Sequence, residues 1–445
     1  MKKTLAIILS VIMALSMVSA LADTLEVGTY DPVAAGEVTL NFAWWGNQLR
    51  DQVTLEAANY FSAAYPNVKI NLNAQTWSNY WTLMATAAAN NDLPDVMQHD
   101  YAYIEQYVEA GDLLDLTPYI ESGALDVSTI PENTLVTGKV GDGIYAICCA
   151  VNAPALVYNK TLTDSLGITV ENNITWDAFV EISRKIYSET GVGTVYGNGN
   201  SENPLTYYAR SLGYTALWDK NGLLPTAEEM AGYYQRLIDG VAEGWLYDTD
   251  KLAGVNTNDL AQDPMVYGAS NDVRSWCAFC FSNQLAAYMS AAEADGIELG
   301  ISTWPSINPV ASNYMKPGQF FAVTTDTKNP DLAVAFLNYL MNDVQGNIIL
   351  AAERGVPPCT DVAEAIVEEV GKTNAAYAPQ VEYLAFVGDG NCSPIFPPLP
   401  SYAGTAQTEV IQYLSEECLL KGTSMTAEEA GQYAVEMIAD IAANN

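Results

Sequence analysis

Apolar and polar positions alternate along this chain with two different periods, and the period switches at short intervals. Val38-Thr39-Leu40-Asn41-Phe42 alternates residue by residue and runs into Ala43-Trp44-Trp45, which predicts a strand. From Asn47 to Tyr65 the apolar positions Val53, Ala57, Tyr60, Phe61 and Ala64 fall at helical spacing, and the helix must stop before Pro66. Val68-Lys69-Ile70-Asn71-Leu72 alternates again. Tyr80 to Asn90 is an Ala-rich helix, Pro94 to Gln98 a short buried strand, and Tyr101 to Ala110 a helix closed by Gly111. Strand, helix, strand, helix, strand predicts an α/β unit on a largely parallel sheet.

The middle of the chain changes character. Ile144 to Tyr158 is β-like and interrupted at Asn152-Ala153-Pro154. Trp176 to Tyr187 reads as a helix with Thr175 at its N-cap. Gly191 to Pro204 is Gly- and Asn-rich and predicts a surface loop. Helices are expected at Tyr207–Leu212, Ala227–Glu243 and from Asn329 to about Met341, and strands at Leu299–Trp304 and Phe320–Thr324. The last hundred residues read as helical, broken by the loop from Pro394 to Pro400.

Length and charge narrow the classes. A chain of 445 residues predicts two or three domains. With 18 Lys and Arg against 53 Asp and Glu, the net charge is −35. That charge repels phosphate backbones and anionic lipid, so nucleic acid is excluded as a partner. The 49% hydrophobic content supplies a core and excludes a disordered chain.

The first residues read as an address. Lys2 and Lys3 precede an apolar run from Leu5 to Val18, and Ala20-Leu21-Ala22 fits a cleavage site. The expectation is a signal peptide over residues 1–22 and an exported mature chain, periplasmic or extracellular. No Cys stands at the cleavage point to carry a lipid. Seven Cys follow, an odd number, so at least one is free or pairs between molecules. Cys277-Ala-Phe-Cys280 has the spacing of a redox pair or half a metal site. Without a second such pair or a nearby His it reads as two buried core thiols one helical turn apart.

Catalytic and cofactor signatures are sparse. The single His99 rules against His-rich zinc sites and lacks a nucleophile elbow to serve. No phosphate loop, dinucleotide fingerprint or Ca²⁺ loop is present, so neither cofactor nor metal is expected. Paired carboxylates could make a glycosidase, and this is the enzyme alternative.

The stronger signal is aromatic residues where strands end. Trp44, Trp45 and Asn47 close the first strand, Trp77, Tyr80 and Trp81 follow the second, and Tyr101 and Tyr103 follow the third. In open α/β sheets ligands bind at the carboxyl edge. Aromatic faces pack on the C–H faces of a sugar, and Asn47, Arg50, Asp100 and Asn152 could pair with its hydroxyls. On this reading Trp44, Trp77 and Tyr101 line the site, while Trp45 falls on the buried strand face.

The run Phe42 to Arg50, with Tyr65-Pro66-Asn67-Val68-Lys69, resembles the opening of the family 1 extracellular solute-binding proteins. These are the carbohydrate-capturing subunits of ABC importers, related to maltose-binding protein. Leu93 to Gln98, Gly111 to Tyr119, Gly143 to Ala146, Leu156 to Lys160, Thr175 to Phe179, Lys328 to Pro330 and Arg354 to Pro358 continue the likeness in order. The resemblance implies a two-lobed periplasmic-binding-protein-like fold (type II), with mostly parallel sheets flanked by helices and a ligand cleft between lobes. It implies lobe 1 at 37–147 and 305–353, and lobe 2 at 148–304 and 354–445. It also implies a sugar receptor rather than an enzyme, a monomer, and the permease subunits of an ABC importer as partners. Among site residues it points to Trp44 or Trp45, Asp100 and Asn152, then Arg50 and Gln319, with Trp276 and Trp304 either as stacking rings from the second lobe and the hinge or as core packing.

Overall fold

The computed structural model describes residues 36–46, 48–196, 202–255, 263–266, 273–293, 295–397 and 399–444. The expected signal peptide and Asn47 lie outside the described residues. The strands, in chain order, are β1 (Val38–Trp45), β2 (Val68–Gln75), β3 (Val96–His99), β4 (Lys139–Val140), β5 (Gly143–Ile144), β6 (Ile147–Asn152), β7 (Pro154–Asn159), β8 (Trp218–Asp219), β9 (Gly222–Leu223), β10 (Cys277–Phe281), β11 (Leu299–Ser302) and β12 (Lys316–Val323). Two helices matter most for the site: α1 (Gln48–Ala64) and α2 (Trp77–Ala89).

The chain divides into two compact units. Unit 1 holds residues 1–151 and 317–373; unit 2 holds 152–316 and 374–445. The boundaries therefore sit away from the expected 147/148, 304/305 and 353/354. Hydrogen bonding explains the shift. β6 belongs to the unit 1 sheet, and Val151 donates to the Val356 carbonyl, which ties the segment after Arg354 to the same unit. Ser306 bridges Thr175, and Ser312 Oγ donates to the Tyr207 carbonyl, which holds 305–316 in unit 2.

Unit 1 is built on one sheet in the order β2-β1-β3-β12-β6. β2, β1 and β3 run parallel, with Val38 opposite Val68 and Phe42 opposite Val96. β12 is antiparallel to β3, with Phe320 opposite His99. Trp45, Gln75, His99 and Phe320 thus share one edge, the carboxyl edge of the three parallel strands. Alternation divides β1 between two layers. Phe42 and Trp44 point to one face, where Phe42 meets Phe321 and Phe336 edge-on at 5.6 Å. Ala43 and Trp45 point to the other, over Tyr80 of α2. At the opposite edge Asp95 accepts from the Asn41 backbone N–H at 2.7 Å and from Thr327 Oγ1 at 2.6 Å, which satisfies the loops there.

Unit 2 corrects the expectation of mostly parallel sheets. Its three-stranded sheet, β10-β7-β11, is antiparallel throughout. Helices cover it, among them Trp176–Thr190, Ala227–Glu243 and Ala427–Asn444. Thr226 and Glu229 form a reciprocal capping box that starts the second of these. The second and third approach so closely that a Cβ on Gly431 would lie 2.2 Å from the Ala227 carbonyl oxygen. The predicted surface loop after Gly191 is also corrected. Gly193 and Thr194 are buried, bridging Ser275 and Leu246, and a helix begins at Glu202. Residues 197–201 of that expectation lie outside the described residues.

The described cysteines are all free thiols. Cys277 and Cys280 lie on strand β10, not on a helix, so they point to opposite faces and are buried separately. Burial pushes both thiols well up. Cys148 and Cys149 alternate across β6, the first buried and the second half-buried.

Candidate functional site

The carboxyl edge of the unit 1 sheet carries a connected set of rings. Trp45 ends β1 with its indole edge-on to Trp77 at 4.9 Å and to Tyr80 at 5.1 Å. Trp77 and Trp81 stand four residues apart at the start of α2, on one helix face, 5.8 Å from each other. Trp81 continues the layer to Tyr103 at 4.1 Å and to His99 at 5.3 Å. Trp45 is 8% exposed and Trp77 47% exposed, so the layer is anchored at one end and open at the other. Tyr101, half-buried, stacks on Phe320 at 6.1 Å and 17°.

A polar frame beneath holds these rings in place. The Trp45 carbonyl accepts from Arg50 Nη1 at 2.9 Å and from Gln98 Nε2 at 3.1 Å. Gln98 Oε1 accepts from Arg354 Nε at 2.9 Å, and Arg354 also donates to Thr54 Oγ1 at 3.0 Å. Arg354 is buried over the Phe321 ring, and burial lowers its pKa to about 10, so it stays charged at neutral pH. Arg50 Nε pairs with Glu353 Oε2 at 2.6 Å. Gly46 is required here, because a Cβ would lie 2.4 Å from Arg50 Cδ. Tyr80 donates to the Gln98 carbonyl at 2.6 Å. Each of these bonds limits the freedom of the strand end that carries Trp45.

Two polar groups close the edge. Asp100 N-caps the turn Tyr101–Tyr103 by accepting from the Ala102 N–H at 2.9 Å, which holds its half-buried carboxylate at the strand end. Gln319 sits beside it on β12, half-buried, with a buried Oε1 that has no hydrogen-bond partner. His99 lies under the rings. Its Nδ1 lies 3.1 Å from both the Asp100 N–H nitrogen and the Asp100 carbonyl oxygen, and burial pushes its pKa down to about 4. The ring is therefore neutral at pH 7 and serves as part of the floor.

The structure sorts the residues singled out in the sequence. It gathers Trp45, Trp77, Asp100, Tyr101 and Gln319 at one edge of unit 1. Trp44 is corrected to the core: it is 1% exposed, and its indole N–H donates to Asp51 at 2.9 Å. The two strand-end tryptophans thus exchange roles, because the face that carries Phe42 and Trp44 is the one that α1 and Phe336 cover. Arg50 holds the backbone of Trp45 rather than facing outward. Asn152 ends β6, half-buried, where the chain leaves unit 1. Of the two readings of Trp276 and Trp304, the structure takes the core one, in unit 2, and removes both from the ligand-lining set. Trp276 is fully buried and donates to Thr194 and Ser183, and Trp304 packs on Tyr207 and Phe279. Trp81 and Tyr103, which the sequence places after the second and third strands, join the ring layer, and Gln98 is the polar neighbour the sequence did not single out.

Residues 46–346 match the model of the bacterial extracellular solute-binding protein family. This chain belongs to that family. It is 27% identical over 197 residues to the arabinooligosaccharide-binding protein of Bacillus subtilis (strain 168), across 43% of this chain and 44% of that relative. The match therefore spans less than half of the relative's length. Among solved structures, a family 1 extracellular solute-binding protein from Alicyclobacillus acidocaldarius superposes with a TM-score of 0.80 at 25% identity, over 92% of this chain and 99% of the other. An oligogalacturonide-binding protein from Yersinia enterocolitica superposes at 0.70 with 19% identity, over 92% and 99%, a likeness of fold. The solute-binding family places the protein among exported chains. Among the described residues no helix is long and apolar enough to cross a membrane.

Proposed function

We propose that this protein is an extracytoplasmic receptor for a sugar or oligosaccharide, which it delivers to the permease subunits of an ABC importer. The supporting observation is the open face of Trp77 braced by Trp45, beside Tyr101, Asp100 and Gln319, at the carboxyl edge of a solute-binding-protein sheet. An exposed indole offers an apolar plane for a sugar's C–H face, and the carboxylate and carboxamide offer acceptors to its hydroxyls. The arabinooligosaccharide-binding relative supports an oligosaccharide as the ligand. Residues 1–22 serve as a cleaved signal peptide, and the mature chain acts as a monomer in the periplasm or at the cell surface. It captures its ligand without chemical change, and its hinge closes on the bound sugar.

The test is a thermal-shift screen of the purified chain against mono- and oligosaccharides, with product analysis of each mixture. A ligand at a hundred times its Kd adds about 2.7 kcal/mol, a rise of a few degrees in a chain of this length. A shift with the sugar intact supports the receptor. Cleavage of the sugar would replace it with a glycosidase, and no shift across the panel would refute carbohydrate as the ligand.

A further inference from the structure

We propose that the ring-lined edge of unit 1 selects uncharged sugars and rejects uronic acids. The inference rests on the receptor reading above and names its ligand class. A uronate carboxylate needs a cation or several donors in reach, because an anion moved from water to a protein surface loses its hydration.

The described residues of unit 1 include six cationic side chains, and none is offered at this edge. Arg50 is spent on Glu353 and on the Trp45 carbonyl. Arg354 is buried against Gln98, Thr54 and Phe321. Lys69 stands at the start of β2 opposite Thr39, on the far edge of the sheet. Lys328 follows the far end of β12, next to Thr327 and its bond to Asp95. Lys139 is on the β4-β5 hairpin, which joins the Leu113–Leu116 segment beside Thr324, again at the far edge. Lys372 pairs at the surface with Glu369, just past the end of the Val367–Gly371 helix. Lys316 precedes Gln319 on β12, but its ammonium sits 4.2 Å over the Phe281 ring in unit 2.

What the edge does present is an anion. The half-buried Asp100 carboxylate is held at the strand end by accepting from the Ala102 N–H, with the neutral Gln319 carboxamide next to it in the β3–β12 register. A carboxylate acceptor suits the hydroxyl donors of a neutral sugar. The same carboxylate repels a second one, and like charges brought together at a partly desolvated site are strongly disfavoured.

Isothermal titration of the purified chain would compare arabino-oligosaccharides and malto-oligosaccharides with oligogalacturonides of equal length. A neutral series is expected to bind at least about 100-fold more tightly than the uronates. Asp100→Asn, which keeps the N-cap and removes the charge, is expected to narrow that gap at least about 5-fold, with the thermal melt confirming the fold. Equal or tighter binding of oligogalacturonides, or a gap that Asp100→Asn leaves unchanged, would overturn the selectivity and leave the receptor intact. Binding of no sugar at all would overturn both.

Discussion

His99 provides the sharpest physical test of the unit 1 site, because it is the single histidine of the chain and lies directly beneath the ring layer. Its imidazole is fully buried, flanked edge-on by Trp81 and by Tyr107 at 4.9 Å. Burial pushes the pKa down from 6.5 to about 4. The folded value lies below the unfolded one, so the unfolded chain binds the proton first as pH falls. Stability contributed by the neutral ring is complete at pH 7 and above. It is lost as pH drops through 6.5 and levels off below about 4. Each pH unit in that window costs about 1.4 kcal/mol, so moving from pH 7 to pH 5 should remove about 2 kcal/mol.

Two assays read this. The ring C–H resonances of the one histidine can be followed by NMR without assignment, and they should stay at neutral-imidazole shifts down to about pH 5. Urea unfolding at pH 5 and pH 7 should show the loss, and His99→Gln should flatten it. A ring that titrates near 6.5, or a His99→Gln chain with the same pH slope, would refute the buried, neutral floor.

Other outcomes follow from the same geometry. Trp77→Ala should cost roughly 2 kcal/mol of sugar affinity, about 30-fold in Kd by calorimetry, with little change in melting temperature, because that ring is half exposed. Trp44→Ala should do the reverse, losing about 3–5 kcal/mol of stability by urea titration through a core cavity and an unpaired Asp51. Glu353→Ala should destabilise by about 3 kcal/mol, since it removes the carboxylate paired with the buried Arg50 guanidinium and loosens the end of β1. Gly138→Ala should cost about 1–3 kcal/mol in thermal unfolding, because a Cβ there would lie 1.7 Å from the Ala146 carbonyl oxygen. A reducing agent should leave the melting curve unchanged, since the described thiols are unpaired.

Local pattern carried far in this chain. Period-2 alternation marked β1 and β2, helical spacing marked α1 and the Ala227–Glu243 helix, and the position of rings after strands placed them at the carboxyl edge of the sheet. These signals are local because hydrogen bonding and side-chain direction repeat within a few residues. Which of two adjacent tryptophans would face the ligand edge was not local. Alternation says only that Trp44 and Trp45 part company; the layer formed by α1 and the Pro330–Asn342 helix decides which face is sealed. The antiparallel order of β10, β7 and β11 joins residues more than a hundred positions apart, and it placed the two cysteines on a strand. Arg50 looked like a ligand donor until Glu353 came within 2.6 Å from three hundred residues away. The sequence by itself determined the elements, the family and the aromatic chemistry of the edge. Tertiary packing alone decided which rings stay open and which charges are already spent, because burial and ion pairing are set by partners distant in the chain.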